Sequence, residues 1–170
     1  TFTDAEPMNY ETGKGDMTEC FSFGANVVEV EVDKETGQVK VTNSVQVHDI
    51  GTAINPMAAE GQIEGSMCQG LGCVLSENFI IENGKTLNTS FTDYKMPRSV
   101  DMPEMKPILL EGEASNGPFG AKECGEGVIV GVAPAIVNAI HDAVGVWIKE
   151  LPATPEKILR AMREKERRKS

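Results

Sequence analysis

The segment with the clearest chemical potential is a glycine-rich loop, residues 120–127, which carries a lysine and two glutamates. Two glycines bracket Glu126, so the backbone there can adopt conformations that are closed to other residues. The apolar run that follows predicts a helix, and the first amides of a helix favour an anion. A carboxylate at such a junction is a candidate general base. The alternative is that Glu126 is a helix N-terminal acid that only helps to cap.

The strands that must position this loop are indicated by alternation and turn residues. Val28, Val30 and Val32 alternate with acidic residues, which is the period of a half-buried strand. A glycine-containing turn at 33–37 and valines at 39, 41, 45 and 47 predict a β-hairpin. Residues 78–82 and 86–90 flank an Asn-Gly turn and predict a second hairpin. Three prolines make 93–107 an irregular loop, and a short strand is expected at 108–110.

A long helix is predicted from Met57 to about Ser76, after a helix entrance shaped by Asn55 and Pro56. Four positions of this helix are glycines, and each glycine lowers helix stability by about 1 kcal/mol relative to alanine. These positions are Gly61, Gly65, Gly70 and Gly72. Glycines at this cost suggest that another helix or a flat ligand packs very close to the backbone.

Two further helices are predicted. Pro134 predicts a break, with a firm helix from about 135 to 144 that Gly145 caps. Thr154 is a good N-cap with Pro155 at the first helical position, so the last helix should run to about Glu164 or beyond. Hairpins and helices in mixed order, without a βαβ rhythm, predict a single α+β domain over 1–170. Its expected form is a two-layer arrangement of β-hairpins and a mixed sheet packed by helices.

The composition of the chain argues against nucleic acid and membranes as its partners. The net charge is −10, and residues 1–150 hold 9 basic and 23 acidic side chains, which argues against nucleic acid as a partner. The basic tail, about 163–170, is expected to be a solvated helix end or a contact for an acidic partner. No apolar stretch reaches a membrane span, and no signal peptide is visible. We therefore expect no membrane partner.

Cysteine and histidine spacing gives no support for a protein-held metal. The four cysteines form no CxxC pair, and His48 and His141 lie far apart in the chain. Four cysteines in 170 residues do not make a disulfide scaffold, so reduced thiols in the cytoplasm are expected. Both histidines are expected to be structural.

The order of several short motifs points to a family. Asn55-Pro56 is followed by glycine- and glutamine-rich strings at 61–65 and 69–72, by Tyr94-Lys95-Met96-Pro97, and then by the 120–127 loop. Asn138–Ala143 and the Leu151-Pro152 segment come last. This succession, over roughly residues 13–159, resembles the C-terminal part of the molybdopterin-binding large subunit of the molybdenum hydroxylases. That family comprises xanthine dehydrogenase, aldehyde oxidase and carbon monoxide dehydrogenase.

The resemblance implies an activity and assigns Glu126 its role. Glu126 matches the family's glutamate beside the molybdenum, the base that deprotonates the attacking water or hydroxide. The implied reaction is oxidation of an N-heteroaromatic, purine-like or aldehyde substrate with water as oxygen source. A mostly apolar pocket desolvates a carboxylate and makes it a better base. Residues 116–119 favour the xanthine dehydrogenase-like branch.

The resemblance also assigns cofactor contacts, each with a plain structural alternative. Gln62 matches a glutamine that hydrogen-bonds the pterin, and the alternative is an exposed helix residue. Gln69 is a weaker candidate of the same kind. Gly61 and Gly65 would let the backbone approach the cofactor, with tight helix packing as the alternative. Lys122 matches the lysine of the family loop, and its alternative is a structural cation paired with a nearby acid.

The loop departs from the family pattern at two positions. Glu123 stands where a small residue is common, and Gly127 stands where proline is common. If Glu123 faced the pocket, it would add a like charge near Glu126; if it faced solvent, it would change little. Paired carboxylates at 123 and 126 also leave open a small independent hydrolase. Cys124 is not expected to bind the metal, because this family holds molybdenum through the pterin.

The resemblance implies further partners, because the chain has no iron–sulfur motif, no flavin segment and no upstream glycine-rich stretch. The expected cofactor is molybdopterin, as such or as its cytosine dinucleotide, with molybdenum. Iron–sulfur centres, with FAD as an optional further group, are expected on other domains or subunits. The chain should be about half, or less, of the molybdopterin-binding subunit and inactive alone. A non-catalytic assembly module is the alternative.

Overall fold

The computed structural model describes residues 8–15, 20–112 and 117–168, which form a mixed sheet packed by helices. The elements, in chain order, are β1 (Gly24–Val32), β2 (Val39–Asp49), α1 (Pro56–Leu75), β3 (Ile81–Glu82), β4 (Lys85–Thr86), β5 (Glu104–Leu110), α2 (Glu126–Val144) and α3 (Pro155–Arg167). The main sheet has the order β1-β2-β5, and β3 and β4 form a separate hairpin. The predicted α+β arrangement is confirmed.

The first hairpin forms as predicted, and a β-bulge decides which face of β2 is buried. The bulge makes Thr42 an extra residue on β2, opposite the middle of β1. Because side chains alternate across a strand, one extra residue moves the following side chains to the opposite face. The buried positions beyond the bulge are polar: Ser44, Gln46 and His48. The strand thus carries a buried histidine to its end, beside the 120–127 loop.

β2 and β5 pair in parallel, and the connection between them contains α1. This βαβ-type crossover was not predicted from the sequence. The expectation that 93–107 is entirely loop is wrong at its end, since β5 begins at Glu104. Pro107 lies within this strand. β5 is at the edge of the sheet, where a missing N–H can lie on the unpaired side.

The predicted break at Pro134 is also wrong, because α2 is one continuous helix from Glu126 to Val144. The proline removes the hydrogen bond to the carbonyl of Val130, whose side chain is 75% exposed. Water can therefore satisfy that carbonyl, while the apolar stripe of α2 stays in the core. Among the described residues, α2 is the helix long and apolar enough to cross a membrane by length and composition. Here it packs against β1 and α1.

The predicted helix boundaries near local capping signals are confirmed. The Asn55 side chain accepts a hydrogen bond from the amide of Ala58, and the Thr154 hydroxyl accepts one from that of Lys157. Gly145 ends α2 in the left-handed conformation, with φ of 68°. The second hairpin forms around its predicted turn, but its strands are only two residues long. The described part of the basic tail continues α3 as helix to Arg167.

The core lies between the sheet and the helices. Its buried members come from β2, the three helices and the segment before α3: Val41, Met67, Leu71, Val74, Val132, Ile136, Ile140, Ala153 and Ile158. α1 and α2 approach closely, because a Cβ added at Gly70 would stand 2.6 Å from a methyl group of Val132. This contact fixes the second half of α1 against the first half of α2.

Candidate functional site

The 120–127 loop is tied to the end of β2 and the segment that follows it. The amide of Lys122 donates to the carbonyl of Ile50 at 2.8 Å, and the amide of Thr52 donates to that of Gly120 at 3.0 Å. Gly51 lies between them with φ of +62°, and a Cβ there would be 2.2 Å from the Gly120 oxygen. The loop and the strand end therefore form one rigid unit, with glycine required at the crossing.

The carboxylate of Glu123 caps α2. One of its oxygens accepts from the amides of Gly125 at 3.1 Å and Gly127 at 3.2 Å. The N-cap residue is Gly125, which has no side chain of its own to do this. Amides in the first turn of a helix lack partners within the helix, and a negative charge there is favourable. The sequence left two placements open for Glu123, in a pocket with Glu126 or facing solvent without a role. The structure shows a third, in which Glu123 caps the helix.

Glu126 is the first residue of α2, and its side chain is exposed. Its carboxylate makes no hydrogen bond or ion pair within the described part of the chain. The helix amides that an acid at this position would compete for are bonded to Glu123 instead. Capping therefore does not account for the position of Glu126, and its carboxylate is left available to a group outside the described residues.

Lys122 is paired with an acid. Its ammonium group lies 2.5 Å from a carboxylate oxygen of Asp49 and donates to the carbonyl of Phe21 at 3.0 Å. Both charged side chains are largely buried, with 12% and 15% exposure. The hydrogen bond from Lys122, with a second from the amide of Gly51, lowers the pKa of Asp49. These contacts favour the structural alternative for Lys122 over direct cofactor binding.

The candidate cofactor residues of α1 share one exposed face. At 100° per residue, Gly61, Gly65, Gln62 and Gln69 fall within about 100° of the helix circumference, opposite the buried stripe. All four are exposed. A Cβ at either glycine would meet nothing within 4 Å. The close packing expected of the glycines occurs instead at Gly70, on the buried side, and at Gly72, where Glu77 and Pro97 cover the last turn of the helix.

Ser66 joins this helix to the loop. Its hydroxyl lies 2.7 Å from the carbonyl of Gly125 and 2.9 Å from that of Gln62. A Cβ built on Gly125 would stand 3.5 Å from the side-chain oxygen of Gln62. The structure therefore places the side chain of Gln62 next to the residue that precedes Glu126, although 63 positions separate Gln62 and Gly125 in the sequence.

A small cavity of about 210 Å³ opens beside these residues. It lies between the 50–55 segment, the start of α1 and the loop, and its lining includes Gln62, Lys122 and Cys124. Burial, and then the charge of Glu123, raises the pKa of the Cys124 thiol. Cys124 is therefore a neutral thiol near pH 7, which is a poor metal ligand.

The residues present fit one wall of a flat cofactor site. The amide of Gln62 can both donate and accept hydrogen bonds, and bare backbone lies beside it at Gly61 and Gly65. Within residues 8–15, 20–112 and 117–168, no group of three metal-ligating side chains comes together. A metal that works here would have to be held by the cofactor or by protein outside the described residues.

The structure thus brings together Glu126, Gln62, Gly61 and Gly65, whereas Lys122 has an internal partner. Sequence reasoning did not find the contacts of Ser66, Glu123 and His48. His48 lies 3.2 Å from the carbonyl oxygen of Glu123 and 3.4 Å from its carboxylate. A glutamate two residues before a glycine N-cap was the available signal for a cap; Ser66 offered none. Residues 113–116, including Asn116, lie outside the described part of the chain.

Comparisons with known proteins identify the family of this chain. A profile of the molybdopterin cofactor-binding domain matches residues 1–103. The chain is 39% identical over 145 residues to the probable hypoxanthine oxidase XdhD of Escherichia coli K12, covering 84% of this chain and 15% of that protein. It is 39% identical over 145 residues to the nicotine 6-hydroxylase large subunit of Paenarthrobacter nicotinovorans, covering 83% and 18%. The aldehyde oxidoreductase structure from Desulfovibrio gigas superposes with a TM-score of 0.84 at 35% identity, covering 94% and 17%.

The fold and the matching profile show a molybdopterin cofactor-binding domain. The chain belongs to the molybdenum-binding subunits of the xanthine dehydrogenase, aldehyde oxidoreductase and carbon monoxide dehydrogenase family. It spans 15–19% of the length of the curated relatives that it matches.

Proposed function

We propose that this chain supplies the general base, Glu126, and one wall of the cofactor site in a molybdenum hydroxylase. The observation that carries this proposal is the exposed carboxylate of Glu126, which has no partner among the described residues. It stands at the start of α2, and the preceding residue, Gly125, lies next to Gln62 on the open face of α1. The substrate is an N-heteroaromatic, purine-like or aldehyde compound. Relatives named as a probable hypoxanthine oxidase, a nicotine 6-hydroxylase and an aldehyde oxidoreductase support this range.

Gln62 and Gln69 would hold the pterin through their side-chain amides, and Gly61 and Gly65 would let it lie close to the helix. When bound, the cofactor supplies the two-electron oxidation chemistry and the molybdenum. Glu126 takes a proton from the attacking water-derived oxygen and holds it while the substrate is oxidised. The cap at Glu123 and the Ser66 contacts hold the loop that carries this base.

Substitution of Glu126 tests the proposal in the assembled molybdenum enzyme. Glu126→Gln keeps the shape of the side chain but removes the base, so turnover per molybdenum should fall by about 10²–10⁴-fold. Molybdenum and pterin content should stay near the wild-type level, because the glutamate is not a ligand. Asp142→Asn, an exposed acid at the other end of α2, is the matched control and should keep wild-type turnover.

Turnover within tenfold of wild type in Glu126→Gln would contradict the proposal and favour a non-catalytic assembly module. A hydrolase that pairs the carboxylates of Glu123 and Glu126 lacks support. One of those carboxylates is bonded to the helix amides and lies near His48.

The proposed partners are the remainder of the molybdopterin-binding subunit and the domains or subunits that carry iron–sulfur centres, with or without FAD. The relatives include proteins named as subunits, which supports an assembly of several chains. We propose a cytoplasmic location, since Cys68, Cys73 and Cys124 are free thiols. The proposed cofactor is molybdopterin, as such or as its cytosine dinucleotide, and chromatography of the released cofactor distinguishes the two forms.

A further inference from the structure

We propose that Glu123 and His48 form a positioning pair that holds Glu126 in place for proton transfer. The proposal rests on the proposed role of Glu126 as the base. Neither residue is proposed to contact the substrate or the cofactor. Each acts through the backbone of the loop that carries Glu126.

The first half of the pair sets the start of the helix. The carboxylate of Glu123 accepts from the amides on both sides of Glu126, at 3.1 and 3.2 Å. Those two contacts fix the peptide unit that precedes Gly125 and the one that follows Glu126. They also occupy the amides with an anion, so the Glu126 carboxylate is not drawn back to cap its own helix.

The second half anchors Glu123 to the sheet. The ring nitrogen Nε2 of His48 lies 3.2 Å from the Glu123 carbonyl and 3.4 Å from its carboxylate oxygen Oε1. His48 is 2% exposed and lies near the end of β2. A buried ring nitrogen needs a hydrogen-bond partner, and Glu123 offers oxygens from both its backbone and its side chain.

The imidazole ring of His48 occupies space that is left open by two glycines, Gly24 and Gly127. A Cβ at Gly24 would stand 3.0 Å from its Nδ1 atom. A Cβ at Gly127 would stand 3.1 Å from its Cε1 atom and 1.9 Å from the Glu123 carboxylate. Any larger residue at 127 would push the carboxylate off the helix amides. Glycine at position 127 is therefore matched to the glutamate at position 123.

The expected consequence is catalytic. A displacement of about 1 Å in a reacting group can cost about 10²-fold in rate, even when the change lies away from the chemistry. Loss of the Glu123 carboxylate frees two amides and the loop between them. The base would then sample other positions, which lowers kcat but leaves substrate binding largely intact.

The experiment uses the assembled molybdenum enzyme with two substitutions at one position. Glu123→Ala removes the acceptor, and Glu123→Gln keeps an oxygen that can accept from the same amides. We expect kcat per molybdenum to fall by 10- to 100-fold in the alanine variant, with KM within twofold of wild type. The glutamine variant should recover most of this loss. Amide hydrogen exchange of the peptide containing 122–132 should be faster with alanine than with glutamine.

The glutamate at 123 is about half exposed, with a side-chain exposure of 52%, so neither substitution opens a core cavity. A wild-type kcat in Glu123→Ala would overturn the positioning role. Equal loss of kcat in the alanine and glutamine variants, with equal exchange rates, would also overturn it.

Glu126→Gln, measured in the same series, distinguishes failure of the positioning pair from failure of the proposed role of Glu126 as the base. If Glu126→Gln is inactive and Glu123→Ala is normal, the base assignment stands and only the positioning pair fails. If Glu126→Gln is active, the base assignment fails, and the positioning role fails with it.

Discussion

At the scale of single residues, the loop separates three ionic groups that the sequence places within five positions. Lys122 is bonded to Asp49, Glu123 is bonded to the amides of α2, and Glu126 is exposed without a described partner. Two charges thus stabilise the loop, and the third, on Glu126, is the one proposed to act as the base. The charges that hold the loop can be tested separately from the base.

Asp49 gives the pH-dependent test. Its folded-state pKa is lowered by Lys122 and the Gly51 amide, so its ionised form stabilises the folded chain. This contribution is fully present above the ordinary pKa of 3.8 and is lost as the pH falls through the lowered folded value. Asp49→Asn should lower the free energy of unfolding of the chain at pH 7 by roughly 1–3 kcal/mol, since it leaves a largely buried lysine unpaired.

The measurement is urea denaturation of the wild type and Asp49→Asn at pH 7 and again near pH 3. The difference between the two proteins should shrink at the acid pH, where the wild-type carboxyl begins to be protonated. Asp142→Asn is the control, because that exposed residue should give no loss at either pH. An equal difference at both pH values would show that the ion pair does not stabilise the fold.

At the scale of elements, α1 uses its glycines in two different ways. On the buried side, Gly70 allows α2 to approach, since a Cβ there would stand 2.7 Å from the Cβ of Val132. On the exposed side, a Cβ added at Gly61 would meet nothing within 4 Å. One helix therefore carries a packing face and an open face, and alanine substitutions should have opposite effects on them.

Gly61→Ala should stabilise the chain by up to about 1 kcal/mol, because alanine is the better helix former. Gly70→Ala should destabilise it by roughly 1–3 kcal/mol through overpacking against Val132. Chemical denaturation of the two variants checks both signs. In the assembled enzyme, Gly61→Ala should lower the pterin content if the cofactor lies on the open face. Wild-type pterin content in that variant would argue against contact with the helix at this point.

The elements also show which features the sequence could predict. The caps at Asn55, Thr154 and Gly145 were predicted because each depends on a few neighbouring residues. The bulge at Thr42, the edge position of β5 and the continuity of α2 through Pro134 were not, because each depends on packing between distant segments. In the site, the candidate base and Gln62 came from motif order. The contacts that place them, through Ser66 and His48, join residues 59 and 75 positions apart.

At the scale of the whole molecule, apolar side chains are exposed around the candidate site. Ile54 lines the cavity and is 67% exposed, and Met57 in the first turn of α1 is 79% exposed. Phe21 and Phe23 are each 70% exposed, and the ammonium group of Lys122 lies near both. We infer that this surface contacts the remainder of the molybdopterin-binding subunit, since these residues surround one wall of the site.

This surface leads to a prediction for the 170-residue chain on its own. It should bind an apolar dye strongly, and it should not turn over purine, N-heteroaromatic or aldehyde substrates, even when molybdopterin is added. Co-production with the remainder of the subunit should lower dye binding per chain and restore turnover. Dye fluorescence and an electron-acceptor assay measure the two effects on the same preparations. Turnover by the isolated chain without molybdenum would show that Glu126 works in a site complete in itself, and the shared-site account would then be wrong.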